Sequence, residues 1–206
     1  MPKSTFFNIS IDKRNEIYNA ALEEFSSYGF AEASLNRICK SSSIAKGSFY
    51  QYFNDKLDLY TYLLESATQT KFQYFEETMK ALESLDFINQ IKSLYLSGVT
   101  FSMENPRLAQ LSERFVEEKP ELRQHILEGN ESKAYMFYES LIEKAKSGGS
   151  VRKSVNTRAL AMLIHSLNRS VAEYMMEFHS LSDYQDNKIA LIEFVDDLLE
   201  ILKHGV

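Results

Sequence analysis

The sequence predicts an all-α fold, and three observations support that prediction. Apolar residues recur with helical spacing through most of the chain, and no segment alternates apolar and polar residues as a half-buried strand does. The 206 residues include only 7 Gly and 3 Pro, the residues that most often interrupt helices. No internal repeat or low-complexity segment breaks the pattern. A chain of this length can bury a sizeable core without disulfides.

The composition limits where the protein can work. The chain has 1 Cys, so it cannot form an internal disulfide, and we expect a reducing, cytoplasmic setting. The longest uninterrupted apolar run covers residues 159–164, far short of the roughly 20 residues that a membrane span needs. The first residues lack the apolar core of a secretion signal. The sequence therefore predicts no membrane partner.

The helices can be placed by their apolar stripes. The first predicted helix covers residues 11–28, and Gly29 follows it as a typical C-cap residue. Its apolar stripe consists of Ile17, Ala21, Phe25 and Tyr28. The remaining predicted helices are a short one after Ser34, another short one after Ile44, 55–80, 87–103, 107–114, 120–146, 157–178 and 184–203.

The two short helices indicate a helix-turn-helix. Cys39 supplies the small residue that two steeply crossing helices need where they approach. Residues 41–43 are three serines that suit a tight turn, and Ile44 and Phe49 fill the wedge between the helices. The alternative role for Cys39 is a redox sensor, but a thiol buried among apolar side chains is unreactive.

The second short helix carries hydrogen-bond donors where it can face outward. These donors belong to Lys46, Ser48, Tyr50 and Gln51. Residues 34–56 hold four basic residues and one acidic residue, although the whole chain has a net charge of −6. Because salt screens charges beyond about 10 Å, the local balance governs a phosphate contact. The pattern therefore indicates binding to double-stranded DNA.

Residues 11–63 resemble the DNA-binding domain of the TetR family of bacterial regulators. The resemblance rests on the segments Phe25-Ser-Ser-Tyr-Gly29-Phe30, Ala45-Lys46-Gly47-Ser48-Phe49-Tyr50-Gln51-Tyr52-Phe53 and Asp55-Lys56-Leu57. Two positions depart from the family pattern: Ser43 replaces a usual turn Gly, and Ala45 replaces a usual capping Ser or Thr. Since a lost cap costs roughly 1 kcal/mol, we expect a recognition helix that is loosely held before DNA binds.

The resemblance implies DNA-binding roles for eight residues. Backbone phosphates would be bound by Ser34, Tyr50 and Lys56. Base edges or adjacent phosphates would be approached by Arg37, Lys46, Ser48 and Gln51. Gly47 would let the DNA come close to the helix. The implied domains are a helix-turn-helix DNA-binding domain over residues 1–56 and a helical ligand-binding and dimerisation domain over residues 57–206.

The last two predicted helices favour a homodimer. Their apolar stripes, over residues 160–178 and 189–202, are wider than a single buried face requires. The resemblance implies that these helices pair with their copies in a four-helix interface. Two-fold symmetry would then place two recognition helices on a palindromic operator.

The middle of the chain favours a pocket for a small-molecule effector, whose identity the sequence does not give. It is rich in aromatic residues and Met, which either pack as core or, as the resemblance implies, enclose a ligand. The candidate polar anchors are Tyr95, Tyr135, His165 and Asn168.

The sequence carries no signature of an enzyme. The four His lie at no metal-ligand spacing, and there is no nucleophile elbow, phosphate loop or dinucleotide fingerprint, so we expect neither metal nor cofactor. The sequence therefore predicts a transcriptional repressor that a ligand releases from its operator. The alternatives are an activator or partner-controlled regulator of the same fold, and a helical ligand-binding protein or enzyme that does not use DNA. A gel shift with the DNA upstream of its own gene tests the last alternative, because no shift at low salt would favour a protein that does not use DNA.

Overall fold

The structure is a computed structural model that describes the backbone of residues 1–81, 85–127, 131–178 and 184–204. Within these ranges, the structure describes the backbone but not the side chain of residues 79, 81, 131–134, 168–169, 172–173, 175–178 and 184–189. All regular secondary structure in the described ranges is helical, as predicted. None of the described helices has the length and apolar character that crossing a bilayer requires.

The described residues form eleven helices. They are α1 (Ser4–Phe7), α2 (Ile11–Glu32), α3 (Leu35–Ser41), α4 (Lys46–Tyr52), α5 (Lys56–Ala81), α6 (Phe87–Glu104), α7 (Pro106–Glu117), α8 (Pro120–Leu127), α9 (Glu131–Ser147), α10 (Thr157–Phe178) and α11 (Tyr184–His204). The predicted single helix over 120–146 is described as α8 and α9, and its expected bend at Gly129-Asn130 lies outside the described residues. Helix α1 has no counterpart in the prediction.

The chain divides into two compact units, each with its own core. Unit 1 contains residues 1–73 and 101–127, and unit 2 contains residues 74–100 and 128–206. Each unit therefore combines two separate segments of the chain. The functional division between residues 56 and 57 stays a prediction.

Unit 1 is built around α2. The predicted stripe residues Ile17, Ala21 and Phe25 are fully buried, because they lie on the face of α2 that the rest of the unit covers. Helix α7 packs along α2 within the same unit. The sequence places Tyr28 on this stripe, but 47 % of the residue is exposed, because its ring lies at the surface under the Arg37 guanidinium.

Unit 2 holds a second hydrophobic core between its helices. Helix α10 packs against both α9 and α11. The buried residues of α6, α9, α10 and α11 include Ile91, Leu94, Tyr95, Ile142, Ala161, Ile164, Val195 and Leu199. The wide apolar stripes predicted for the last two helices thus bury one side of each helix inside the chain.

Candidate nucleic-acid interface

Helices α3 and α4 form the predicted helix-turn-helix. Ser34 is the N-cap of α3, because its hydroxyl accepts a hydrogen bond from the Arg37 backbone N–H at 3.4 Å. Cys39 and Phe49 are buried, as their predicted packing roles require. Burial also raises the pKa of the Cys39 thiol above its ordinary value, so little reactive thiolate forms at neutral pH.

The turn between the two helices contains a residue in the left-handed region. Ser43 has φ 51°, a conformation that side-chain-bearing residues rarely adopt and that glycine adopts without cost. Lys13 steadies this turn, because its ammonium donates to the Ser42 carbonyl at 2.8 Å and to the Ser43 carbonyl at 3.3 Å. The serine at the position of the family's usual glycine is therefore held in a strained backbone conformation.

We expect Ser43→Gly to raise the free energy of unfolding by about 1 kcal/mol, because glycine removes the left-handed strain. Urea unfolding followed by far-UV circular dichroism measures this change. Ser41→Gly is the matched control, since Ser41 is exposed at the end of α3 and has a helical backbone. Glycine at this position should lower the free energy of unfolding by about 0.5 kcal/mol. Equal effects of the two glycines would contradict the assignment of strain to Ser43.

Helix α4 begins without a side-chain cap. Ala45 occupies the N-cap position with extended backbone, and no side-chain hydrogen bond is made there. The residue that departs from the family pattern thus leaves the first turn of α4 without a side-chain cap. The loosely held helix expected from this departure stays a prediction. The seven residues of α4 need other support, because a short helix is unstable by itself.

The surface of α4 is open where the sequence predicts DNA contacts. Lys46, Gly47, Tyr50 and Gln51 are exposed, whereas Ser48 is half-buried. Residues four apart lie above one another on a helix, so Lys46 and Tyr50 share one row and Gly47 and Gln51 share the next. A Cβ at Gly47 would meet no atom within 4 Å, which leaves open space beside the helix backbone.

Arg37 is engaged inside its own unit. Its Nε donates to the Glu24 carboxylate at 2.8 Å, its Nη2 donates to the Glu32 carbonyl at 3.0 Å, and its guanidinium lies 4.4 Å from the centre of the Tyr28 ring. The hydrogen bonds that Arg37 donates to Glu24 raise the pKa of Arg37 above its ordinary value. Contact of Arg37 with base edges or phosphates stays a prediction, and it would have to share the guanidinium with these partners.

Glu24 positions the helix-turn-helix, and the sequence prediction does not include it. It is 7 % exposed, and its Oε1 accepts hydrogen bonds from the Ser34 backbone N–H at 2.7 Å and from Arg37. Glu24 therefore ties α2 to the start of α3. The signal in the sequence is a carboxylate seven residues after Ile17, on the side of α2 that carries the apolar stripe.

Lys56 is engaged inside its own unit. Its ammonium donates to the carbonyls of Phe30 at 2.6 Å, Ala33 at 3.0 Å and Ala31 at 3.3 Å. These carbonyls follow the break in α2 at Gly29, where the helix leaves them without helical partners. Burial lowers the pKa of Lys56. Its three N–H groups thus hold the end of α2, and the phosphate contact expected for Lys56 stays untested.

The break in α2 is also held by α7. Gly29 has φ 68° and ψ 177°, and the next N–H, that of Phe30, donates to Glu118 Oε1 at 2.6 Å. Arg114 donates to the carbonyls of Ser26 and Ser27, both at 3.1 Å. Both polar ends of the break are therefore satisfied by side chains from the end of α7 and the residue after it.

Comparison with known proteins places this helix-turn-helix in a family. The family model for bacterial regulatory proteins of the tetR family matches residues 17–63. A solved TetR family transcriptional regulator from Chloroflexus aurantiacus is 26 % identical, with a TM-score of 0.70, and the match covers 100 % of this chain and 98 % of that one. These matches support the TetR family for this chain.

Two further relatives are similar to this chain in sequence. The UidR transcriptional regulator of Escherichia coli is 28 % identical over 109 residues, which are 48 % of this chain and 56 % of UidR. The fatty acid metabolism regulator protein of Bacillus subtilis is 23 % identical over 198 residues, 94 % of this chain and 95 % of that protein. The solved Bacillus subtilis FadR in complex with stearoyl-CoA has a TM-score of 0.69 at 18 % identity and covers 93 % of this chain and 98 % of that one, a likeness of fold.

The four candidate ligand anchors predicted from the sequence lie in unit 2. The Tyr135 and His165 rings lie with their centres 5.0 Å apart, and both side chains are half-buried. Tyr95 is buried, and its hydroxyl donates to the Ile164 carbonyl at 2.8 Å. The structure thus brings Tyr135 and His165 together and uses Tyr95 inside the core, while the Asn168 side chain lies outside the described residues.

A cavity of about 870 Å³ lies elsewhere in unit 2. It is lined by the start of α6, the start of α10, the loop before α10 and the end of α11. Tyr95, Tyr135 and His165 do not line it. Its lining is mixed, with apolar residues such as Phe87 and Leu160 beside both acidic and basic side chains.

Proposed function

We propose that this TetR-family chain is a DNA-binding transcriptional regulator that represses transcription as a homodimer on a palindromic operator. The observation that carries the proposal is the open surface of α4, where a basic residue, a glycine and two hydrogen-bond donors are exposed above a buried Phe49. This arrangement anchors the helix on one side and leaves the other side for a DNA groove.

Local charge supports DNA as the partner. Lys40 and Lys46 are exposed on the helix-turn-helix, and neither forms a salt bridge with another described residue. Their charges are therefore available to neutralise phosphates, whereas those of Arg37 and Lys56 are engaged by their own unit. Because salt screens charges that lie farther than about 10 Å away, the negative charges of distant residues have little effect at this surface. Two available lysines can therefore bind phosphates although the net charge of the chain is negative.

Exposed apolar residues on the last two helices support the homodimer. Met162 and Leu163 on α10 are 50 % and 47 % exposed, and Ile201 on α11 is 53 % exposed. Each helix buries its other side in the core, for example at Ile164 and Leu199. A second copy that covers these outer faces by the same residues would form the symmetric interface of a two-fold dimer.

We also propose that a small molecule releases the protein from DNA, and that acyl-CoA is the class to test first. The Bacillus subtilis regulator that aligns over 94 % of this chain is named for fatty acid metabolism, and the FadR structure with the same fold holds stearoyl-CoA. Unit 2 offers both an aromatic interior and a cavity of about 870 Å³. A ligand could act only by binding the DNA-free form more tightly.

The experiment begins with selection of a duplex from a random-sequence pool by the unaltered protein. We expect a palindromic sequence that stearoyl-CoA displaces from the protein. Lys46→Met should weaken binding and lower the slope of log affinity against log salt by about 1, because one phosphate contact is lost. Lys153→Met is the matched control, since Lys153 is exposed in unit 2.

Each part of the proposal has its own contrary result. If no duplex is enriched at low salt, the proposed DNA-binding function is wrong. If Lys46→Met and Lys153→Met change the salt slope equally, α4 is not the DNA-contacting surface. If stearoyl-CoA leaves the complex intact at concentrations where it binds the protein, acyl-CoA is not the releasing effector.

A further inference from the structure

The seven residues of the recognition helix end against a segment that lies outside the family motif. Residues 3–7, here named the N-terminal strap, comprise Lys3 and helix α1. The family model matches residues 17–63 and does not include them. The strap and α4 pack together within unit 1.

The strap supplies hydrogen bonds to the end of α4. Carbonyls in the last turn of a helix have no helical partner, and in α4 these include the carbonyls of residues 50–52. Tyr50 O accepts from the Lys3 ammonium at 2.8 Å, and Tyr52 O accepts from the Lys3 backbone N–H at 2.8 Å. Gln51 O accepts from the Thr5 hydroxyl. The carbonyls of residues 50–52 are thus all satisfied by the strap.

One helical hydrogen bond and an aromatic contact complete this end of α4. Phe49 O accepts from the Phe53 N–H at 2.9 Å, so the carbonyls of residues 49–52 all have a donor. Phe6 of the strap is 1 % exposed, and its ring centre lies 4.9 Å from that of Phe53 and 5.6 Å from that of Tyr62. The buried ring fixes the strap in place while its polar groups reach the carbonyls.

The opposite end of α4 has no comparable support. Ala45 makes no side-chain hydrogen bond to the first turn, and the turn before it contains Ser43 in the left-handed region. A helix of two turns has few hydrogen bonds of its own with which to resist fraying. Side-chain hydrogen bonds to the backbone of α4 are therefore found at its C-terminal end and not at its cap residue Ala45.

We propose that the N-terminal strap is a positioning element of the recognition helix, in which Lys3 and Thr5 hold the DNA-reading surface ordered before DNA arrives. The expected effect on DNA affinity rests on the proposed DNA-binding function. The ordering of α4 by the strap does not depend on that function. Ordering α4 in the free protein removes a cost that would otherwise be met during binding. Lys3 and Thr5 act through α4 and are assigned no contact with DNA.

The test uses the full chain with Lys3→Pro and Thr5→Val together. Lys3 has φ −72°, which proline adopts without strain, so this change deletes both the ammonium and the backbone donor. Valine matches threonine in shape and deletes the hydroxyl. Phe6 stays in place, so the buried aromatic cluster is retained. Amide hydrogen exchange reads the opening of α4 separately from global unfolding.

We expect exchange of the amides of residues 49–53 to accelerate at least about tenfold, while amides in the centre of α2 keep their rates, because roughly three capping hydrogen bonds are lost. Affinity for the selected duplex should fall about fivefold to twentyfold. Ala45→Ser, which supplies the missing N-cap, should restore part of both losses. Lys3→Arg and Thr5→Ser retain side-chain donors and serve as controls close to the unaltered protein.

Unchanged exchange at residues 49–53 would overturn the proposal, and so would an acceleration of equal size throughout unit 1, which would mean a general loss of stability. Faster local exchange with full affinity for DNA would also overturn it, because α4 would then not need to be ordered in advance. The exchange measurement requires no DNA, so it stands even if the unaltered protein selects no duplex, and the two failures are distinguishable.

Discussion

Gly29→Ala is expected to lower the free energy of unfolding by about 3 kcal/mol. The residue has φ 68° and ψ 177°, a combination that only glycine adopts readily, and an alanine there stores roughly 1–3 kcal/mol of strain. The added Cβ would also lie 3.2 Å from Glu118 Oε1, closer than ordinary contact. That oxygen accepts the Phe30 N–H, so moving it weakens the hydrogen bond at the break in α2. Urea unfolding measures the loss.

Gly47→Ala is the matched control with the opposite sign. Gly47 lies inside α4, and its Cβ would meet no atom within 4 Å, so alanine should stabilise the helix by up to about 1 kcal/mol. The same methyl would occupy the space beside the helix backbone where we expect DNA to approach, and affinity for the selected duplex should fall. A Gly29→Ala protein as stable as Gly47→Ala would show that the break in α2 is not a strained, glycine-dependent feature.

Met162→Glu combined with Ile201→Glu is expected to lower operator affinity by at least about 100-fold, because two linked half-sites bind far more tightly than two separate ones. Both residues are about half exposed on α10 and α11, where we propose the homodimer interface. A carboxylate there would be desolvated on association. Sedimentation at micromolar concentration should show a dimer for the unaltered protein and a monomer for the variant.

Met136→Glu combined with Val116→Glu is the control for charge. These residues are 61 % and 52 % exposed on α9 and α7, so the control makes the same change of charge on exposed apolar positions outside the last two helices. It should remain dimeric and keep most of its affinity. A dimer that persists in the Met162→Glu, Ile201→Glu protein would contradict the proposed interface, as would an unaltered protein that sediments as a monomer.

Much of the fold could be predicted because helical periodicity is a local property. The stripe of Ile17, Ala21 and Phe25 is buried as its spacing indicates. The bounds predicted for the last two helices, 157–178 and 184–203, agree with α10 and α11 to within one residue. Helix α1 escaped prediction because four residues are too few to show a period.

The partners of charged residues could not be predicted because they depend on contacts distant in sequence. Lys56 resembled a phosphate ligand by its motif, yet its ammonium is used by carbonyls that lie 23 to 26 residues earlier. Arg37 is engaged by Glu24, whose position on the apolar side of α2 can be seen in the sequence but whose partner cannot. By contrast, the missing cap at Ala45 could be predicted, because capping involves only neighbouring residues.

The buried Cys39 makes the protein its own reporter of opening. It is the 1 Cys of the chain, it is 5 % exposed, and burial raises its thiol pKa. A chromogenic disulfide reagent can therefore react at a useful rate only in molecules whose α3 has separated from its neighbours. The labelling rate in native buffer gives the frequency of that separation without a probe being introduced, and its dependence on added duplex DNA gives the degree to which binding closes the helix-turn-helix.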